Sequence, residues 1–163
     1  MIIGLKKISM GEVERVLIPY FGENLPKRAE TRALEKLEKG GELFLLHILD
    51  EAPTRSLRYR TGQFGDGSEM VKTFRKTMKN VQEKKAGKYI DEVKSRAGKK
   101  GISVKPLFTS GSPGEETVKA VEKHSIQLVI VEDLRDTVTE IFAGDEIDYI
   151  SNKAPCKVET VSS

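Results

Sequence analysis

The feature that most constrains the fold is a rhythm of short apolar runs separated by longer stretches with apolar residues at helical spacing. Arg15-Val16-Leu17-Ile18-Pro19 is one such run, closed by Phe21-Gly22. Leu43 to Leu49 is apolar except for His47, and Leu128 to Val131 is apolar throughout. Ile102 to Thr109 carries Val104 and Phe108 on one face, and Lys157 to Val161 is a short final run. Near-continuous apolar runs fit strands covered on both faces, as in parallel sheets.

The stretches between them read as about four helices. Residues 25–39 place Ala29, Ala33, Leu34 and Leu37 on one stripe, and Gly40-Gly41 is expected to stop that helix. A longer helix is expected from Ser68 to about Ala97, with Val71, Phe74, Met78, Val81, Ala86, Ile90 and Val93 on its stripe. Ser112-Pro113-Gly114-Glu115 reads as a capping box with proline at the first helical position, opening a helix that ends near His124. A turn and helix are expected over 136–153. Strands alternating with helices give parallel pairing and right-handed crossovers. The expected architecture is α/β: a three-layer, doubly wound, five-stranded parallel sheet. Its ligand cleft should lie at a switch point beside the first strand.

Residues 1–12 read as an appended arm, and 13–163 as the domain. Residues 51–68 break the rhythm with Pro53, Gly62, Gly65 and Gly67, and read as a long irregular loop rich in arginine.

Composition narrows the function classes. There are 28 Lys+Arg against 25 Asp+Glu, a formal charge of +3. A net charge this small does not argue for nucleic acid, which calls for a clustered basic face. Cys156 is the one cysteine, so neither an intramolecular disulfide nor a cysteine-built metal site is expected. No apolar run is long enough to span a bilayer, and the first ten residues lack the pattern of a signal peptide, so the expected compartment is the cytoplasm. The chain has no GxSxG motif, no Walker A loop and no Cys/His pairing suited to nucleophilic catalysis.

Four places in chain order resemble the universal stress protein family. Val16-Leu17-Ile18-Pro19 with Gly22 is similar to its first strand and turn. Leu45-Leu46-His47-Ile48-Leu49-Asp50 resembles its second strand. Gly111-Ser112-Pro113-Gly114-Glu115 resembles its Gly-Asp-Pro helix entry, and Ala154-Pro155-Cys156-Lys157-Val158 its entry to strand five. The resemblance implies strand order 3-2-1-4-5. It also implies a nucleotide cleft near Pro19, Phe21, Gly22 and Ile48, with phosphates on Gly-x-x-Gly, nine residues, then Gly-Ser/Thr. Glycines let the backbone approach phosphate, and a helix start offers free N–H groups. Counted back from Gly144, the two earlier glycine positions hold Leu134 and Val131. The Ser/Thr position holds Asp145, and the adenine-side Asp position holds Phe21. The resemblance therefore supports the fold and argues against ATP binding in the usual manner.

The remaining candidates have structural readings beside functional ones. His47 reads as a buried strand residue with its ring nitrogens satisfied, and His124 as a last-turn residue facing the negative end of the helix dipole. Cys156 reads as a buried thiol, although Lys153 and Lys157 nearby would favour a thiolate. Glu132, Asp133, Asp136, Asp145 and Glu146 make the cleft mouth acidic and read as turn and capping residues, with a cation site as the alternative. Arg55, Arg58 and Arg60 could reach an anion or an acidic partner surface.

Three functions follow. The first is a non-catalytic stress-response protein without a cofactor, acting with an unidentified protein partner. Resemblance implies a homodimer through strand 156–161. The alternative is a nucleotide binder, for ATP or AMP, in which Arg55, Arg58 and Arg60 of the 51–68 segment replace the lost cradle. A nucleotide-dependent ligase ranks last, because Phe21-Gly22-Glu23-Asn24 lacks a phosphate loop.

Overall fold

The computed structural model describes residues 13–61, 69–133 and 144–162. The elements are β1 (Val13–Phe21), α1 (Lys27–Lys36), β2 (Leu37–Leu49), α2 (Ala52–Thr61), α3 (Glu69–Gly98), β3 (Ser103–Ser110), α4 (Pro113–His124), β4 (Leu128–Asp133), α5 (Gly144–Lys153) and β5 (Lys157–Ser162). All strand pairs are parallel, and the order is β3-β2-β1-β4-β5. The expected α/β sheet is thus found, with five helices among the described residues rather than about four. The expected arm 1–12 and the end of the expected loop, 62–68, lie outside the described residues.

Alternation along each strand builds two cores. Val16, Ile18, Leu43, Leu45, Leu128 and Ile130 face α1 and α3, which supply Ala29, Ala33, Tyr89, Ile90 and Val93. Leu17, Leu46, Ile48, Val129 and Val131 face α4 and α5, which supply Ala120, Val121, Ile147 and Ile150. Successive strand side chains point to opposite faces, so a continuous apolar run fills both layers at once.

Two boundaries differ from expectation. Residues 51–68 are not wholly irregular, because Ala52–Thr61 is helical. Pro53 reads as a breaker in sequence, but in a first helical turn its missing N–H has no intrahelical role. The Asp50 carboxylate accepts the Ala52 N–H at 2.9 Å, and Arg55 N–H reaches Glu51 O at 3.0 Å, closing the turn. Gly40-Gly41 does not end α1 either. That helix stops at Lys36, and Leu37 turns directly into β2 in an extended conformation. The glycines instead serve a bulge. Opposite Val13 to Arg15, β2 runs from Leu37 to Glu42, and Gly40 sits at φ +91°.

Buried polar groups hold the layers in place. His47 is 1% exposed, its Nε2–H donates to Gly22 O at 3.0 Å, and Tyr20 and Phe108 flank its ring. Gly22 makes that turn at φ +61°, and its own N–H returns to Ile48 O. Burial pushes the His47 imidazole below its ordinary value of 6.5, more than the Gly22 bond and the charge of Glu83 raise it. In the unfolded chain the imidazole takes up a proton at its ordinary value, so protonation favours unfolding as pH falls through about 6.5. The penalty is absent above that pH and grows until the pH passes below the depressed folded value. Urea midpoints should therefore fall between pH 7.5 and 5. The fall should be smaller in His47→Gln, and equal falls in both proteins would refute this role.

Candidate functional site

A cavity of about 520 Å³ opens over the carboxyl ends of β1, β2 and β3. Phe21 and Leu49 supply its apolar surface, and Gly111, Ser112 and Pro113 form one side. Arg55 and Arg58 of α2 and Arg75 of α3 supply guanidinium groups. The arginines reach the cavity because α2 is a helix: positions 55 and 58 are one turn apart and share a face. Arg60, on a different face, does not line it and is exposed.

Arg75 is held by a fork. Its Nε donates to Glu51 Oε1 at 2.9 Å and its Nη2 to Glu51 Oε2 at 2.8 Å. Glu51 is thereby oriented and its charge offset. Of the remaining lining residues, Glu146 belongs to the acidic cluster expected at the cleft mouth, whereas Glu51, Thr54 and Arg75 were not singled out in sequence. They converge on the site from separate elements, and no local pattern marks them.

The helix N-termini at this end of the sheet are already served by the chain's own carboxylates. Glu132, 6% exposed at the end of β4, accepts the Ala29 N–H of α1 at 2.8 Å. Glu146 of α5 accepts the Gly114 N–H of α4 at 2.7 Å. The expected capping box is not formed, since Ser112 makes no side-chain bond to its helix. Glu146 serves this helix start from 32 residues away, and the neighbouring Glu116 accepts the Thr109 hydroxyl at 2.7 Å. The close approach requires Gly114, where a Cβ would sit 2.8 Å from Glu146 Oε1 and 2.9 Å from Tyr149 Cδ1. Asp145 is exposed on the first turn of α5, where the helix dipole favours a carboxylate. A phosphate arriving at α1 or α4 would have to displace a carboxylate.

The other sequence candidates scatter. Pro19, Ile48 and Val131 are buried in strands, and Ile48 and Val131 are fully enclosed in the α4–α5 core. Gly144 is the first residue of α5. Leu134 and Asp136 lie outside the described residues. Asp133 ends β4. β1 and β4 pair only at Val16–Leu128 and Leu17–Val129, although both strands run further. Among the described residues the cavity has no lining from β4. It is displaced from the β1–β4 switch point toward β2 and β3. His124 packs its ring 5.1 Å from Phe44. Burial raises the Cys156 thiol above its ordinary value despite a backbone hydrogen bond from Val129, which disfavours the reactive thiolate. Among the described residues no three His, Cys, Asp or Glu side chains cluster in a way that could hold a metal ion. No described helix is long and apolar enough to cross a membrane.

The arrangement offers forked donors for an anion and a small apolar wall. Among the described residues that line the cavity there is no imidazole or thiol beside its Thr54 and Ser112 hydroxyls.

Comparison with known proteins bears on the fold. The model of the universal stress protein family matches residues 12–162. Universal stress protein MJ0577 of Methanocaldococcus jannaschii is 25% identical over 122 residues, 73% of this chain and 75% of that protein. The solved structure of MJ0577 superposes with a TM-score of 0.71 at 21% identity, covering 93% of this chain and 96% of that one. UspA from Lactobacillus plantarum gives a TM-score of 0.68 at 13% identity, covering 91% and 97%. A universal stress protein family protein of Arabidopsis thaliana, solved with AMP bound, gives 0.54 at 15% identity, covering 91% and 90%.

Proposed function

The chain belongs to the universal stress protein family, and from that premise we propose that it is a non-catalytic stress-response protein that binds an adenine nucleotide, ATP or AMP, through arginines rather than a glycine cradle. The observation that carries this is the position of Arg55 and Arg58, which line the same cavity as Phe21 at the end of β1. The family likeness supports the ligand class, since similar proteins were solved with AMP and with cAMP. The altered mode follows from the carboxylates: Glu132 and Glu146 occupy helix N–H groups, and Asp145 replaces the hydroxyl position. Guanidinium forks bind phosphate oxygens in pairs and supply the charge the carboxylates oppose. A cytoplasmic location is part of the same proposal.

Titration calorimetry with AMP and ATP tests it. A dissociation constant near 100 µM, about −5.5 kcal/mol, is expected for ATP. Arg55→Ala/Arg58→Ala should weaken it by at least about tenfold, because each lost charge-assisted bond costs about 1.5–3 kcal/mol. No heat from either nucleotide, or no effect of the double variant, would refute the proposal.

The homodimer through residues 156–161 is proposed with it. β5 is an edge of the sheet, with exposed and half-exposed residues. Glu159 is committed within the chain, to Arg32 Nε at 3.0 Å and Lys36 Nζ at 3.6 Å, so cross-dimer pairing would rest on backbone bonds. Light scattering should give twice the 18.2 kDa of one chain. The monomer mass would refute it.

A further inference from the structure

A second groove, of about 640 Å³, lies beside the edge strand β3 and shares Leu49, Glu51 and Arg75 with the first cavity. Lys72, Arg75, Lys76 and Lys79 line it from α3. Their spacing of three, four and seven residues puts all four cations on one helical face. The row spans about 10 Å at 1.5 Å rise per residue, longer than a single phosphate group. Glu51 and Glu83 are the two carboxylates in its wall, and Glu51 is held in the Arg75 fork. Lys72, Lys76 and Lys79 make no ion pair among the described residues. At the far wall stands Phe108, 50% exposed, with its ring edge-on to the buried His47 ring at 5.8 Å.

A half-exposed aromatic ring in a cationic groove has the chemistry of a base-stacking platform beside a phosphate track. Tyr20, His47 and Phe108 stand opposite one another across β1, β2 and β3, so their rings share one face of the sheet. Phe21 and Ile48 lie on the other face. The two cavities therefore flank the carboxyl end of β2 and meet at Arg75.

We propose that the two cavities form one site for a dinucleoside polyphosphate, a ligand with two nucleosides joined by a chain of phosphates. One nucleoside sits by Phe21 with its phosphate on Arg55 and Arg58. The chain crosses at Arg75 onto the lysine row, and the second base stacks on Phe108. This rests on the nucleotide reading of the first cavity. A polymeric nucleic acid is less well matched, because the cation row of the groove spans only two turns of α3 and the formal charge of the chain is only +3.

The test is titration of the full chain with diadenosine tetraphosphate, ATP, AMP and hexa-adenylate. In the parent protein the tetraphosphate should bind at least about tenfold more tightly than ATP. Lys72→Gln/Lys76→Gln/Lys79→Gln should abolish that advantage while leaving AMP affinity within about twofold, which also shows that the variant folds. Phe108→Ala should weaken the tetraphosphate and leave AMP unchanged. Equal affinities for tetraphosphate and ATP would overturn the inference and leave the single-nucleotide reading standing. So would a lysine variant that loses AMP and tetraphosphate alike. Tetraphosphate binding without AMP or ATP binding would support the joint site and overturn the single-nucleotide reading. Preference for hexa-adenylate would replace the proposed ligand with single-stranded nucleic acid. No binding of any probe would overturn both readings.

Discussion

Glu30→Ala should lower the unfolding free energy by about 3 kcal/mol, read as a shift in urea midpoint. Glu30 is 4% exposed on α1 and ties that helix to α3. Its Oε1 accepts the Tyr89 hydroxyl at 2.9 Å, and Arg96 grips both oxygens, with Nε at 2.5 Å and Nη2 at 2.9 Å. Arg96 is about half exposed and returns to water on loss of its partner, so its share is small. Tyr89 is 1% exposed and cannot do so. Its other contact, Pro26 O at 3.5 Å, is a poor hydrogen bond. The cost is thus dominated by an orphaned buried hydroxyl, about 1–3 kcal/mol, plus the space left in the core. Burial and the Glu30 charge both push the Tyr89 phenol far above its ordinary value, so it stays neutral and donates at all working pH values. Glu30→Leu with Tyr89→Phe should recover part of the loss, since removing both partners leaves no orphan. A loss under about 1 kcal/mol for Glu30→Ala would show that the network contributes little.

Glu132→Ala should cost about 2 kcal/mol in the same assay. The variant removes the acceptor for the Ala29 N–H, one of the first-turn donors of α1 that the helix itself cannot satisfy. Pro26, at the N-cap, has no side-chain oxygen to take over. Because Glu132 is buried, water replaces the carboxylate only if the end of β4 opens. Glu132→Gln keeps an acceptor oxygen and should cost about half as much. If Gln proved as costly as Ala, the charge near the helix start would be the dominant effect instead of the hydrogen bond.

The fold was legible because it rests on local patterns. Runs such as Leu128–Val131 and Leu43–Leu49 can only be strands buried on both faces, and their alternation with helical stripes dictates parallel order. Errors arose where tertiary contacts override local signals. Gly40-Gly41 is a good helix stop by composition, yet Leu37 gains more by extending into the core, where it is 3% exposed. Pro53 reads as a loop residue until its place in a first turn is known. The site was less legible for the same reason. Arg55 and Arg58 were visible as an unusual cluster, but their helix was not. The carboxylates that occupy the helix starts act across 103 residues for Glu132 and 32 for Glu146. A capping box can be read from four consecutive residues, and a cap supplied by a distant strand cannot. What remained readable was the lost glycine pattern at Val131 and Leu134, which pointed away from a backbone cradle before the arginines had a place.

The proposed function requires that α2, not the start of α5, receives the ligand's phosphates. Amide hydrogen exchange with and without saturating ATP tests it most directly. Slowed exchange is expected in Ala52–Thr61 and in 111–114, with the first turn of α5 unchanged. Slowed exchange at Gly144–Glu146 with α2 unaffected would contradict it, and would return the phosphates to the helix start at Gly144.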